Sequence, residues 1–102
     1  MAVALTEKEF SQHLNTKFPL EFDGQEIELE LVEVKGYLPQ AHEETGMERF
    51  SVFFNGPSHV RLPQHLYSLK HAKMGEFEIF LVPISGNEKG FRYEAVFNYF
   101  KK

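Results

Sequence analysis

The stretch Phe77-Glu78-Ile79-Phe80-Leu81-Val82-Pro83-Ile84 is followed by Ser85-Gly86-Asn87-Glu88-Lys89-Gly90, and then by Phe91-Arg92-Tyr93-Glu94-Ala95-Val96-Phe97-Asn98-Tyr99-Phe100. The two outer runs are rich in β-branched and aromatic residues, and turn chemistry lies between them. They read as two strands joined by a tight connection. In the second run Phe91, Tyr93, Ala95, Phe97 and Tyr99 alternate with Arg92, Glu94, Val96 and Asn98. That period of two gives one apolar and one mixed face. Pro83 has no amide to donate, so its strand must place it at an edge or a bulge.

The same grammar extends backwards. Arg49 to Phe54 reads as a strand with Phe50, Val52 and Phe54 on one face and Phe53 on the other, closed by Asn55-Gly56-Pro57. Pro63 precedes a strand from Gln64 to His71, and Ala72-Lys73-Met74-Gly75 turns it into the strand beginning at residue 76. Phe18-Pro19-Leu20-Glu21-Phe22 alternates, and Asp23-Gly24 supplies a hairpin turn. In the long strand from Gln25 to Val34, Ile27, Leu29 and Leu31 oppose Glu26, Glu28 and Glu30, after which Val32 and Val34 reverse the parity. A bulge near Leu31-Val32 keeps both apolar sets on the core face.

Ahead of these strands, Thr6-Glu7-Lys8-Glu9 is a capping box, and Phe10, His13 and Leu14 follow at helical spacing. A short helix is predicted over residues 7–15, held by packing Phe10 and Leu14 elsewhere. Residues 36–48, with Gly36, Pro39 and Gly46, predict a long loop carrying His42, Glu43 and Glu44. The fold class is therefore mainly β (α+β) in a single domain over residues 1–102. A short N-terminal helix precedes a curled antiparallel sheet or small barrel of five to six strands over about 18–100. One short helix cannot cover so many apolar faces, so the sheet must curl with the helix plugging an end or side.

The totals narrow the functional classes. A chain of 102 residues carries a net charge of −4, with no cysteine, no tryptophan and 11 phenylalanines. Without cysteine there is neither a disulfide framework nor a thiolate metal site, and a cytoplasmic location is expected. The first residues lack the basic start and apolar run of a signal peptide, and no run reaches the roughly 20 residues of a membrane span. The negative balance, without a basic cluster, disfavours nucleic acid as a partner. Phenylalanine has no polar handle, so these rings are committed to a core or to a partner.

No motif supplies chemistry. His65 and His71 would lie roughly 20 Å apart along a strand, so with His59 they do not form a metal site unaided. The Glu26, Glu28 and Glu30 row reads as a solvated face that discourages edge pairing. Gly86 to Gly90 lacks the Gly-Lys-Ser/Thr of a phosphate loop and precedes a strand. Ser51, Ser58, Ser68 and Ser85 lie in no nucleophile elbow. No cofactor and no metal is expected, and the balance is against an enzyme. A small hydrolase using His42, Glu43 or Glu44 with a strand carboxylate is the least favoured reading. Arg92, Glu94 and Asn98 share a polar face that, turned inward, would form a pocket floor with Tyr93 as a further orienting group. Phe53, Phe80, Val82 and Val96 fall opposite the main apolar faces of their strands and are the candidate interaction residues.

Phe50-Ser51-Val52-Phe53-Phe54-Asn55-Gly56-Pro57, Leu62-Pro63-Gln64 with Tyr67 and Leu69, Phe80-Leu81-Val82-Pro83-Ile84 and Arg92-Tyr93-Glu94-Ala95-Val96-Phe97-Asn98 together resemble a family of small bacterial β-rich domains of unknown function. The resemblance runs over roughly residues 5 to 99. It brings no activity, cofactor or catalytic residue, and implies a stand-alone domain that accompanies phage-tail-like or surface assemblies. His59, His65 and His71 depart from its simplest pattern. The expectation is a non-enzymatic interaction or structural module with a protein partner or a homo-oligomeric state. The alternative is a small-molecule-binding β-barrel.

Overall fold

Alternation gives each strand one apolar face, and a single twisted sheet buries these faces by closing on itself. The computed structural model describes residues 7–36 and 47–100, and the backbone alone at 47–49 and 98–100. One helix, α1 (Glu7–Ser11), precedes β1 (Lys17–Phe22), β2 (Gln25–Gly36), β3 (Met47–Gly56), β4 (His65–His71), β5 (Gly75–Asn87) and β6 (Gly90–Phe100). The strands form a closed antiparallel barrel in the order β1-β2-β3-β6-β5-β4, with β4 returning to β1. Two three-stranded meanders, β1-β2-β3 and β4-β5-β6, are thus joined by the crossing segment 57–64.

Local chemistry sets the joints. Asp23 and Gly24 both take positive φ, 52° and 77°, between the paired residues Phe22 and Gln25. This is the mirror-image turn that matches strand twist. The β2–β3 register shifts between Leu31 and Glu33, so Val32 is the extra residue of a bulge. The expected parity reversal is resolved there. A second shift lies between Pro83 and Ser85 on β5, so the residue that lacks an amide donor stands at a bulge. Because of that bulge β5 continues to Asn87, well past the expected turn at Ser85, and only Glu88 and Lys89 remain between β5 and β6.

The helix is shorter than the spacing predicts. It ends at Ser11, and Leu14 is exposed rather than packed. Asn15 turns to φ 67° and sends its amide to the Leu31 carbonyl, while the Thr16 hydroxyl donates to the His13 carbonyl at 2.6 Å. Those bonds draw residues 12–16 away from the helical path and toward β2. The Thr6 cap and the 37–46 loop with His42, Glu43 and Glu44 lie outside the described residues. β3 starts at Met47, two residues before its predicted start.

Both barrel ends are stoppered. At one end Phe10, fully buried, meets the rings of Phe18, Phe50, Phe77 and Phe97 at centroid distances of 6.4, 6.0, 5.9 and 5.4 Å. At the other, Leu62 of the crossing segment is buried, and its amide donates to the Tyr93 hydroxyl at 2.8 Å. Tyr67 donates in turn to the Pro63 carbonyl at 2.6 Å. Between the stoppers Leu20, Ile27, Leu29, Leu31, Val52, Phe54, Leu69, Ile79, Leu81 and Ala95 fill the interior.

Candidate functional site

Strand parity sorts the sequence-predicted residues onto two sides of the barrel wall. Tyr93 points inward and is fully buried, whereas Arg92 and Glu94, its neighbours on β6, point outward. These residues therefore do not converge on one pocket, and the side chain of Asn98 lies outside the described residues. The Tyr93 hydroxyl is taken up by the Leu62 amide. Burial pushes the Tyr93 phenol above the ordinary tyrosine value, while that amide and the Arg61 charge pull the other way. Tyr67 is also raised, first by burial and then by Tyr93.

On the outer wall the registers align a row across four strands. Glu33 of β2 faces Phe53 of β3, Phe53 faces Glu94 of β6, and Glu94 faces Val82 of β5. Arg92 binds the Glu33 carboxylate at 2.5 Å and lies 4.8 Å over the Phe53 ring. Phe53 is consequently half-buried under a guanidinium, held by an ion pair and a cation–π contact. Glu94 separates it from Val82.

Phe80 and Val96 sit on a more open part of the wall, beside the partly buried Val82 that ends this row. Phe80 is 48% exposed and pairs across the β4–β5 ladder with Leu66, which is 49% exposed. Val82 follows on β5, Ile84 protrudes at the Pro83–Ser85 bulge at 45% exposure, and Val96 on β6 is 53% exposed. Leu66, Phe80, Ile84 and Val96 each leave about half their surface in water and Val82 is partly buried among them, so together they present an apolar patch on the order of 300–400 Å². It is bounded along β4 and β5 by the pairs Ser68–Glu78 and Lys70–Glu76. Leu66 and Ile84 were missed by sequence reasoning. Parity alone could have found Leu66, because Tyr67 and Leu69 point inward. Ile84 depends on a bulge whose position the sequence leaves open.

Other concavities are shallow and open to solvent. A groove of about 360 Å³ over the β1–β4 seam is lined by Pro19, Leu20, Glu21, Ser68 and Lys70 among others. Among the described residues, no three His, Asp or Glu side chains gather as metal ligands. His65 stands against Tyr67, and His71 ends β4 beside Thr16.

Fold and surface define a small antiparallel β-barrel with a helical stopper and an apolar outer patch. The chain belongs to the family described as Domain of unknown function (DUF6916), whose model matches residues 5–97. No curated protein and no solved structure matches it. Among the described residues no helix is long and apolar enough to cross a membrane.

Proposed function

We propose that this domain is a non-enzymatic interaction module that docks a protein through the outer wall of β4, β5 and β6. The observation that carries this reading is the exposed cross-strand pair Leu66 and Phe80, extended by Val82, Ile84 and Val96. A contiguous apolar patch of this size is at the scale of the largest patches found on monomers, which often mark contacts. It can serve as the centre of an interface, with Glu78, Glu94 and Lys70 as a polar rim. Phe53, clamped by Arg92, lies at its margin and orients that rim. The occupant is a protein presenting its own apolar strand or helix face. The filled interior speaks against the small-molecule barrel, since Tyr93 and its neighbours leave their space to side chains. The cytoplasm and an accessory place in a phage-tail-like or surface assembly complete the proposal. They rest on composition and family resemblance.

The test pairs Leu66→Ser with Phe80→Ser in one variant. Far-UV circular dichroism checks the fold, and sedimentation velocity and affinity capture with quantitative mass spectrometry check association. The expected result is a folded variant that loses a partner, or a self-association, retained by the wild type. An unfolded variant would mean that these side chains belong to the core. Equal capture by both proteins would remove the patch from consideration.

A further inference from the structure

The β1–β4 seam is held differently from the rest of the barrel. β1 pairs with β2 along its whole length, from Lys17↔Glu30 to Phe22↔Gln25, but its ladder with β4 is the single position Leu20↔Leu69. The next inward position of that antiparallel register would set Phe18 against His71. Backbone pairing gives way there to side chains. The His71 ring lies 4.3 Å from the Phe18 ring, and its Nε2 is 3.0 Å from the Thr16 hydroxyl, one residue before β1.

The hydrogen bonds of this ring run in one direction. Nδ1 lies 3.0 Å from the Lys73 amide and 3.1 Å from the Met74 amide, and both donate to it. Nδ1 therefore carries a lone pair, and the proton of the neutral ring sits on Nε2. That Nε2–H donates to the Thr16 hydroxyl, which donates to the His13 carbonyl. One imidazole thus pins the β4–β5 turn with one nitrogen and the α1–β1 connection with the other. The connection is also tied to β2 by Asn15 N–H to the Leu31 carbonyl and Leu31 N–H to the Thr16 carbonyl.

We propose that His71 is an acid-released latch. Its neutral ring holds the β1–β4 seam shut, and a proton on Nδ1 unpins the ring from the 72–74 turn, so that the 12–16 connection tied to it loosens together with the Phe10 stopper behind it. Protonation turns Nδ1 from an acceptor into a donor facing two donors. Nε2–H is present in both forms and still reaches Thr16, so it is the turn at 72–74 that opens and lets the ring, with Thr16, come away from the end of β4.

The charges around the ring favour its neutral form. His13 of the connection lies 4.7 Å away between ring centroids, with Glu9 3.5 Å behind it. Lys73 comes from the turn, Phe18 of β1 is apolar, and Lys70 and Glu76 at the next register position point to the outer face. Burial, then His13 and Lys73, lower the affinity of His71 for a proton below that of an ordinary histidine. The native state therefore binds this proton less readily than the open chain. The latch's contribution is complete above about pH 6.5 and is lost as pH falls from there through the lowered native value.

Two readouts on the intact protein test the latch. Ring ¹⁵N shifts report the tautomer and titration of His71, and amide hydrogen exchange, corrected for intrinsic rates, reports Asn15, Leu31 and Met74. The expected result is the Nε2–H tautomer at pH 7. Protection of those three amides should fall at least about tenfold more than that of Val52 and Phe54 as His71 titrates. His71→Gln, which keeps an acceptor and a donor but does not titrate, should make that protection pH-independent. Protection that stays constant through the titration of His71 overturns the proposal. So does a fall of equal size in His71→Gln, which would place the switch elsewhere. Should that variant fail to fold, the wild-type comparison of ring titration with amide protection still decides the matter.

Discussion

Replacing Phe10 with alanine should remove the stopper from one end of the barrel. A five-residue helix has no stability of its own, so α1 is held by what Phe10 touches. The ring is fully buried and meets four other phenylalanine rings, those of Phe18, Phe50, Phe77 and Phe97. Truncation of such a residue costs about 3–5 kcal/mol. The upper half applies here, because the edge-on contact with Phe77 and the tilted ones add to area burial. A domain of this size holds roughly 5–15 kcal/mol in all. The variant should therefore fold with a melting temperature lower by roughly 15–25 °C. Its urea midpoint should fall by roughly 1.3–5 M, given slopes of about 1–3 kcal/mol/M. The chain has no tryptophan, so far-UV circular dichroism with tyrosine fluorescence is the practical signal. Leu14→Ala is the internal control, since Leu14 is 38% exposed and should cost well under about 1 kcal/mol. A loss below about 1 kcal/mol for Phe10→Ala, or equal losses for the two variants, would refute the account of the plugged end.

Gly90→Ala should destabilise by about 2–3 kcal/mol or more, because φ there is 152° and an added Cβ would run into the Gly56 carbonyl oxygen. Gly24→Ala, also at positive φ but in open space, should cost about 1 kcal/mol, and thermal melts of the two separate steric contact from backbone strain alone. Tyr93→Phe should cost about 1–3 kcal/mol by leaving the buried Leu62 amide without its acceptor, whereas Tyr67→Phe should cost about 0.5–1.5 kcal/mol; urea titrations give both. Both phenols have raised native pKa values, so their contribution is complete below about pH 10 and is lost as pH rises through the native values. Absorbance near 295 nm should thus show two tyrosines ionising together with the loss of circular dichroism, and their ionisation in a still-folded barrel would contradict the burial argument.

The strand content was legible because each strand carries its own period-two signal. Ile27-Leu29-Leu31 and Phe50-Val52-Phe54 point inward as their alternation requires, and the parity break at Val32 marks a bulge. Closure and strand order were not legible, since they depend on which edges meet, and β4 meets β1 at one ladder position only. The helix was overestimated because residues 12–16 have helical spacing but spend their donors on β2 and on a local turn. On the outer wall, parity places Phe80, Val82 and Val96 opposite the inward residues, and Phe80 and Val96 are exposed there. It could not show that Glu94 and Arg92 divide Phe53 from them, because that row is built from four strands brought together by closure.

The two ends of the barrel are held by different means, and this bears on where a partner can act. At the Tyr93 end, backbone and phenol hydrogen bonds fix the crossing segment to the wall. At the Phe10 end, side chains replace ladders at two seams. His71 and Thr16 stand beyond the last β1–β4 pair, and Phe10 lies between Phe77 and Phe97, beyond the β5–β6 pair Val82↔Glu94. Six strands enclose less space than the eight that side chains just fill, so the interior is committed to packing. In the reading proposed above, recognition belongs to the outer wall. Phe80 and Val96 lie just past the point where the β5–β6 ladder ends, toward the Phe10 end. A protein seated on them would bridge the seam that Phe10 fills from inside, and its binding would resist the same opening that loss of the Phe10 ring promotes.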